Sequence, residues 1–181
     1  MMKRLMVGAS LVALSLAAAP AARAQVGVGV SAGLSIPTSD LGNVAKTGYS
    51  VNGLIGFSPP LSPIGIRGEV GYNSWSGKQA AGLGGSTISS LSGTANIVLQ
   101  VPGMIVAKPY VIAGLGEHRV KFDFGSGATD NSTETKLGWN VGGGVNFGVG
   151  TLAALLEARY VTVNTSNVKL HYVPITFGIM F

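Results

Sequence analysis

The sequence predicts an all-β protein: an eight-stranded antiparallel up-and-down β-barrel that crosses a membrane. Three observations carry this expectation. The chain is apolar and rich in glycine, with 46% hydrophobic residues, only 10% charged residues and 28 glycines. Beyond residue 24, no stretch reaches the roughly 18 consecutive apolar residues that a spanning helix needs. The same region divides into eight segments whose apolar residues fall at alternate positions, the period of a strand with two unlike faces. A hydrophobic chain without a hydrophobic helix satisfies its backbone in lipid only by closing a sheet on itself.

Residues 1–24 read as a cleaved secretory signal peptide. Lys3 and Arg4 open it, Leu5 to Ala19 form an apolar run, and Ala22-Arg23-Ala24 has the small-x-small form of a cleavage site. The run is short for a membrane helix and is followed by Pro20. Cleavage after Ala24 leaves residues 25–181 as a single barrel domain. The leader removes Lys3, Arg4 and Arg23, so 12 basic against 7 acidic residues becomes nine against seven, a net charge of +2 rather than +5. The basic character belongs in part to the leader, and a nucleic-acid partner loses its main support. The absence of cysteine excludes a disulfide framework and a thiolate metal site.

Each segment has a definite outer set. The first places Val26, Val28, Val30, Ala32, Leu34 and Ile36 opposite Gly and Ser; the second places Tyr49, Val51, Ile55 and Phe57 opposite Ser50, Asn52, Leu54 and Gly56. The third sets Ile64, Ile66, Val70 and Tyr72 against Arg67, Glu69 and Asn73; the fourth sets Leu91, Ala95, Ile97, Leu99 and Val101 against Ser, Thr, Asn and Gln. The fifth is apolar or Gly on both faces from Tyr110 to Leu115. Tyr110, Ile112, Val120 and Phe122 are assigned outward, which turns Glu117, Arg119 and Lys121 inward together. The sixth alternates Leu137, Trp139, Val141, Val145 and Phe147 with Gly and Asn. The seventh alternates Leu152, Ala154, Leu156, Ala158 and Tyr160 with Leu155, Glu157 and Arg159. The eighth alternates Val173, Ile175, Phe177, Ile179 and Phe181 with Tyr172, Pro174, Thr176, Gly178 and Met180.

Small residues on the second face suit an eight-stranded barrel, whose interior is just wide enough for side chains. A soluble sandwich hides large apolar residues and exposes charge; here the pattern is inverted, as lipid outside requires. Loops at about Pro37–Gly48, Ser76–Thr87, Asp123–Thr135 and Asn164–Leu170 are longer than the turns Ser58–Pro63, Pro102–Val106 and Gly148–Thr151. Long outside and short inside is the outer-membrane asymmetry. Aromatic residues fall at two heights: Tyr49, Tyr72, Trp75, Trp139 and Tyr160 towards the loops, and Phe57, Tyr110, Phe147 and Phe181 towards the turns, with Phe177 in neither belt.

With these residues in place, the chain resembles the small eight-stranded outer-membrane barrels of the OmpA/OmpX type over residues 25–181. The most specific part is the ending, Val173, Ile175, Phe177, Ile179 and terminal Phe181 at alternate positions. The resemblance implies a signal read by the barrel-assembly machinery during insertion. It also implies residence in the outer membrane of a Gram-negative-type bacterium, in contact with outer-membrane lipid and lipopolysaccharide, as a monomer. No peptidoglycan-binding domain is expected after Phe181.

The residues assigned to a lumen charge network are Arg67, Glu69, Glu117, Arg119, Glu157 and Arg159, with Lys121 beside them. They come as i, i+2 neighbours on one face. A paired plug is expected over a gated path for small solutes, because eight strands leave little free lumen. The enzymatic rival is a lipid-modifying hydrolase. Barrels that resemble lipid A deacylases place a His and a Ser two residues apart on one strand. Here Val120 follows His118 and Val173 follows His171 at that spacing, which leaves only a loop residue such as Ser166 to approach His171. A non-enzyme without cofactor or metal is therefore expected, its outer loops serving interaction or membrane integrity. Asp123, Asp130 and Glu134 lack calcium-loop spacing.

Overall fold

A computed structural model describes residues 25–59, 62–79, 82, 85–101, 107–123, 132–149, 152–164 and 169–181. Residues 1–24, with the expected cleavage site at Ala22 and Ala24, lie outside the described residues. The strands are β1 (Gln25–Thr38), β2 (Gly48–Ser58), β3 (Ile64–Ser76), β4 (Thr87–Gln100), β5 (Ala107–Asp123), β6 (Ser132–Val149), β7 (Leu152–Asn164) and β8 (Lys169–Met180). A short helix, α1 (Ser39–Val44), follows β1. Every strand pairs antiparallel with its neighbours in the sequence, and β1 pairs with β8 to close the barrel. Closure is completed by Phe181, whose N–H donates to the Val28 carbonyl at 2.8 Å and whose carbonyl accepts from Val28 at 3.2 Å. Among the described residues no helix is long and apolar enough to cross a membrane; the crossing is made by strands.

The registers define the tilt. The inward row Gly27, Gly56, Arg67, Asn96, Gly114, Asn140, Val161, Tyr172 passes once round the barrel. It returns to β1 at Pro37, ten residues beyond Gly27. That stagger tilts the strands by roughly 40° to the axis. The ladder between β7 and β8 pairs Ala158 with Ile175 and Val161 with Tyr172 but is interrupted between them. Pro174, opposite Arg159 in that register, has no N–H to give.

The outer surface is apolar. Val28, Val30, Leu34, Ile55, Ile66, Val70, Ile97, Leu115, Leu156 and Phe177 are each at least half exposed. In water such a surface would carry a large hydrophobic penalty; in a bilayer it faces its own solvent. Tyr49, Tyr72, Trp139 and Tyr160 are exposed towards one end, and Phe57, Phe147 and Phe181 towards the other. Connections at the first end span 39–47, 77–86, 124–131 and 165–168, against 59–63, 101–106 and 150–151 at the end that holds Phe181. The longer set marks the extracellular side.

Two expectations are corrected. On β5, Tyr110, Ile112 and Val120 are buried and Phe122 packs against the interior, while Glu117, Arg119 and Lys121 are exposed. The phase is set where the strand crosses the membrane. Val111, Ala113 and Leu115 face lipid, and Gly114 and Gly116 face the crowded interior. The register places Leu115 beside Trp139 of the aromatic belt and Glu117, Arg119 and Lys121 beside Leu137, Thr135 and Thr133. The charges therefore lie at or above the lipid boundary, where an outward side chain meets water and headgroups. Trp75 is likewise no belt residue: it is 1% exposed, its Nε1–H donates to the Ser35 carbonyl at 3.1 Å, and it packs edge-on against Tyr172 at 4.9 Å.

Candidate functional site in the barrel lumen

The lumen is filled in layers. Near its middle, Arg67 and Glu69 of β3 meet Glu157 and Arg159 of β7. β3 and β7 are four strands apart in either direction round the barrel, so they face each other across it. Both run from the turn end to the loop end, and their charges stand in reversed order, Arg-x-Glu against Glu-x-Arg. Arg67 thus lies opposite Glu157, and Glu69 opposite Arg159. The Arg67 guanidinium donates to Glu157, and Arg159 donates to Glu69 at 2.5 Å. Within each strand, Arg67 Nε lies 2.6 Å from Glu69, and Arg159 Nε donates to Glu157. Each arginine serves both carboxylates, forming a closed ring of net charge zero, with all four residues less than a tenth exposed. Burying one charge alone costs several kcal/mol, and the ring leaves none alone.

Neighbours on β4, β5 and β6 complete the ring. Tyr110 Oη donates to Glu157 Oε2 at 2.6 Å, and the Arg67 guanidinium lies 5.6 Å from the centre of the Tyr110 ring. Asn96 donates to the Arg67 carbonyl at 3.2 Å and accepts from Asn140 at 2.9 Å. Leu54, Val98, Ile112 and Leu155 are buried as well, Val98 and Ile112 packing with Tyr110. Glycine on β6 makes the room. An added Cβ at Gly142 would stand 2.7 Å from Arg159 Cγ, and at Gly144 2.6 Å from Tyr110 Oη. At Gly138 it would stand 2.8 Å from His118 Cδ2.

Above the ring lies a polar cavity of about 30 Å³, lined by Asn52, Asn73, Ser92, His118, Asn140 and Thr176 among others. His118 is 2% exposed, and its Nδ1 has no hydrogen-bond partner among the described residues. Higher still, Trp75, Ile88, Val120, Val161, Val163, Leu170 and Tyr172 form an apolar layer that Leu41 and Ala45 close from above. The helix α1, within the segment expected as the loop Pro37–Gly48, delivers Leu41. Backbone contacts tie this lid to the next loop: Lys46 N–H donates to Ser76 at 2.8 Å and Lys78 N–H to Val44 at 2.7 Å. Lys78 Nζ also donates to the Gly42 carbonyl at 2.5 Å. Below the ring the lumen opens into a vestibule of about 540 Å³, lined by Ser58, Gln100, Lys108, Asn146 and Met180, with Arg67 also in its wall.

Of the six residues expected in the charge network, the fold therefore brings together Arg67, Glu69, Glu157 and Arg159 and leaves Glu117 and Arg119 outside. Tyr110 was missed as a partner because it was assigned to the lipid face. The ending Val173, Ile175, Phe177, Ile179 and Phe181 lies along the outer face of the closing strand. His171 is outward too. Its Nδ1 lies 2.9 Å from Tyr160 Oη and 3.2 Å from Thr162 Oγ1, a pairing across strands that no spacing within one strand reveals. Ser166 lies outside the described residues. Among the described residues no group of three or more His, Asp or Glu is arranged to hold a metal ion.

Comparison with known proteins agrees with this architecture. The chain is similar to neisserial surface protein A, with 20% identity and a TM-score of 0.67 over 86% of this chain and 95% of that one. It is also similar to the N-terminal β-barrel domain of Pseudomonas aeruginosa OprF, at 13% identity and a TM-score of 0.53, covering 88% of this chain and all of that one. Ail of Yersinia pestis, in a phospholipid nanodisc, matches at 18% identity and a TM-score of 0.52, covering 87% of this chain and all of that one. At these identities the likeness is one of fold. No curated protein matches the chain. The family profile described as outer membrane protein beta-barrel domain matches residues 8–181. With its lipid-facing strands, paired aromatic belts and closed eight-stranded sheet, the chain is a barrel of the Gram-negative outer membrane and belongs to the outer membrane protein beta-barrel domain family.

Proposed function

We propose that this protein is a non-enzymatic barrel with a structural, non-conducting lumen, whose contacts are made by its loops and outer rim in support of surface interaction or membrane integrity. The observation that carries this reading is the sequence of layers inside: a neutral ring of four buried charges, a cavity of about 30 Å³ and an apolar lid. A cavity of that size holds a water or two and no solute. The non-enzymatic part draws on the histidines. His118 is enclosed in the lumen, and His171 Nδ1, 3.2 Å from the Thr162 hydroxyl, is shared with the closer hydroxyl of Tyr160 at 2.9 Å. The outward ending from Val173 to Phe181 is the surface the assembly machinery would read during insertion.

The test is electrical. Refolded protein in planar bilayers is expected to give no reproducible unitary conductance, and liposomes carrying it are expected to retain small sugars. Steady single-channel steps from the wild-type barrel would replace the closed reading with a narrow passage. Release of fatty acid from lipid A that disappears in His171→Ala would overturn the non-enzymatic one.

A further inference from the structure

We propose that the outer face of β6, β7 and β8 carries a docking site for the headgroup of a phosphorylated glycolipid of the outer leaflet. The site is centred on His171, and it goes beyond the closed-lumen reading because nothing in it depends on the interior. Going from mid-membrane towards the loops, this face changes character in an ordered way. Leu156 and Ile175 come first, exposed to lipid; Tyr160 and Trp139 follow, both exposed. The imidazole of His171 comes next, and the exposed ammonium of Lys169 is last. The order matches a lipid read from acyl chain through sugar to phosphate.

The rings are arranged as a platform. Trp139 and Tyr160 lie 6.1 Å apart, and Tyr160 stacks on His171 at 5.8 Å with 21° between planes. Aromatic planes at the interface offer an apolar body and a polar edge, which suits the mixed faces of a sugar. An aromatic belt alone accounts for Trp139 and Tyr160; it does not account for a hydrogen-bonded imidazole beside them. Two hydroxyls, of Tyr160 at 2.9 Å and Thr162 at 3.2 Å, converge on Nδ1. An Nδ1 that accepts, its one lone pair shared between these hydroxyls, leaves the ring proton on Nε2. That second nitrogen has no partner among the described residues, so the tautomer presents a donor to whatever covers the face. Thr162 is in register with both Trp139 and His171, and Lys169 lies one outward position further along β8. There its ammonium can meet a phosphate as a point charge.

The chain contains two histidines, and the second is an internal control: His118 is enclosed in the lumen and cannot touch lipid. The experiment reconstitutes the barrel in nanodiscs of zwitterionic phospholipid and titrates in bis-phosphorylated lipid A while following the histidine ring resonances. The His171 signals are expected to shift saturably while those of His118 stay put. Lys169→Ala and His171→Gln are expected to weaken binding severalfold, and Arg119→Ala on β5 to leave it unchanged. All three positions are outside the core, and heat-modifiable migration confirms that each variant folds. The proposal is overturned if lipid A leaves His171 unmoved. It is equally overturned if phosphatidylglycerol shifts His171 as strongly, or if Arg119→Ala weakens binding as much as Lys169→Ala, since either result reduces the site to general attraction between charges.

Discussion

Arg159 reaches across the lumen to Glu69 at 2.5 Å, joining strands on opposite sides of the barrel through residues 90 positions apart. The symmetry of the arrangement is what makes it strong. Arg67 and Glu157 are also 90 positions apart and make the mirror contact, so no charge in the ring depends on a single partner. Glu157→Ala removes a carboxylate that serves Arg67, Arg159 and Tyr110, leaving two buried guanidinium groups short of a partner. The expected loss is about 3–5 kcal/mol, read from urea unfolding in lipid vesicles. The double variant Arg67→Ala/Glu157→Ala is expected to lose less than the sum of its single variants, with a coupling of about 0.5–3 kcal/mol. Additive losses would mean that the ring does not act as a unit.

The facing of β5 leads to a second prediction. Arg119 is exposed and Val120, the next residue, is 0% exposed. A cysteine at each position tests the phase of the whole strand. Arg119→Cys is expected to react promptly with a water-soluble maleimide on intact vesicles. Val120→Cys is expected to react only after unfolding, because its side chain lies under the lid with Trp75 and Leu170. The opposite result would restore the inward set of Glu117, Arg119 and Lys121.

These two sites show what the sequence makes legible. In β6 every large side chain from Leu137 to Phe147 shares one parity, and Gly or Asn fills nearly all of the other, so its faces can be read directly. The third and seventh segments announce their charges in the same way. Their pairing across the lumen went unread, since i, i+2 spacing joins only neighbours within a strand; its signal is the reversed charge order on two strands of equal direction, which puts Arg opposite Glu. β5 defeats this reading because Tyr110 to Leu115 is apolar or Gly at both parities, and the charges at 117, 119 and 121 then decide the phase wrongly. They lie beyond the lipid, where outward charge costs little. The useful signal was the pair Gly114 and Gly116, since a narrow lumen selects glycine at inward positions. The lid was not legible for another reason. A six-residue helix is too short to establish a period, and its burial depends on inward residues from five different strands.

The lid gives the third prediction. Leu41 is 1% exposed over the apolar layer, and α1 holds one backbone bond at its end, from Ala45 N–H to the Leu41 carbonyl at 2.9 Å. Leu41→Ala removes the buried side chain that seats the helix. The expected loss is at least about 2 kcal/mol in the local opening energy, which amounts to roughly thirtyfold faster exchange of the Ala45 amide. Because the barrel below is closed by its own ladder, the strand amides of β3 and β7 are expected to keep their protection. A loss spread evenly over the strands would mean that lid and barrel open together.

Glycine on β6 provides the last prediction. Gly142 and Gly144 face the lumen where Arg159 and Tyr110 cross it, and a Cβ there would stand 2.7 Å from Arg159 Cγ and 2.6 Å from Tyr110 Oη. Both distances are shorter than any relaxed contact, and the displaced groups belong to the charge ring, so a shift in either pulls on Glu157. Gly144→Ala is expected to cost about 1–3 kcal/mol by overpacking. Alanine at Gly53, which faces lipid with nothing within 4 Å of its Cβ position, is expected to cost far less. Tyr110→Phe removes the hydroxyl but leaves the ring Cζ, also 2.6 Å from the added Cβ, and the Leu156 carbonyl oxygen at 2.5 Å. Combining it with Gly144→Ala is therefore expected to recover none of the loss, and the missing hydrogen bond to Glu157 adds to it. If the double variant is instead more stable than Gly144→Ala, the hydroxyl is the group the methyl strikes, and the ring carbon and the Leu156 backbone yield without cost.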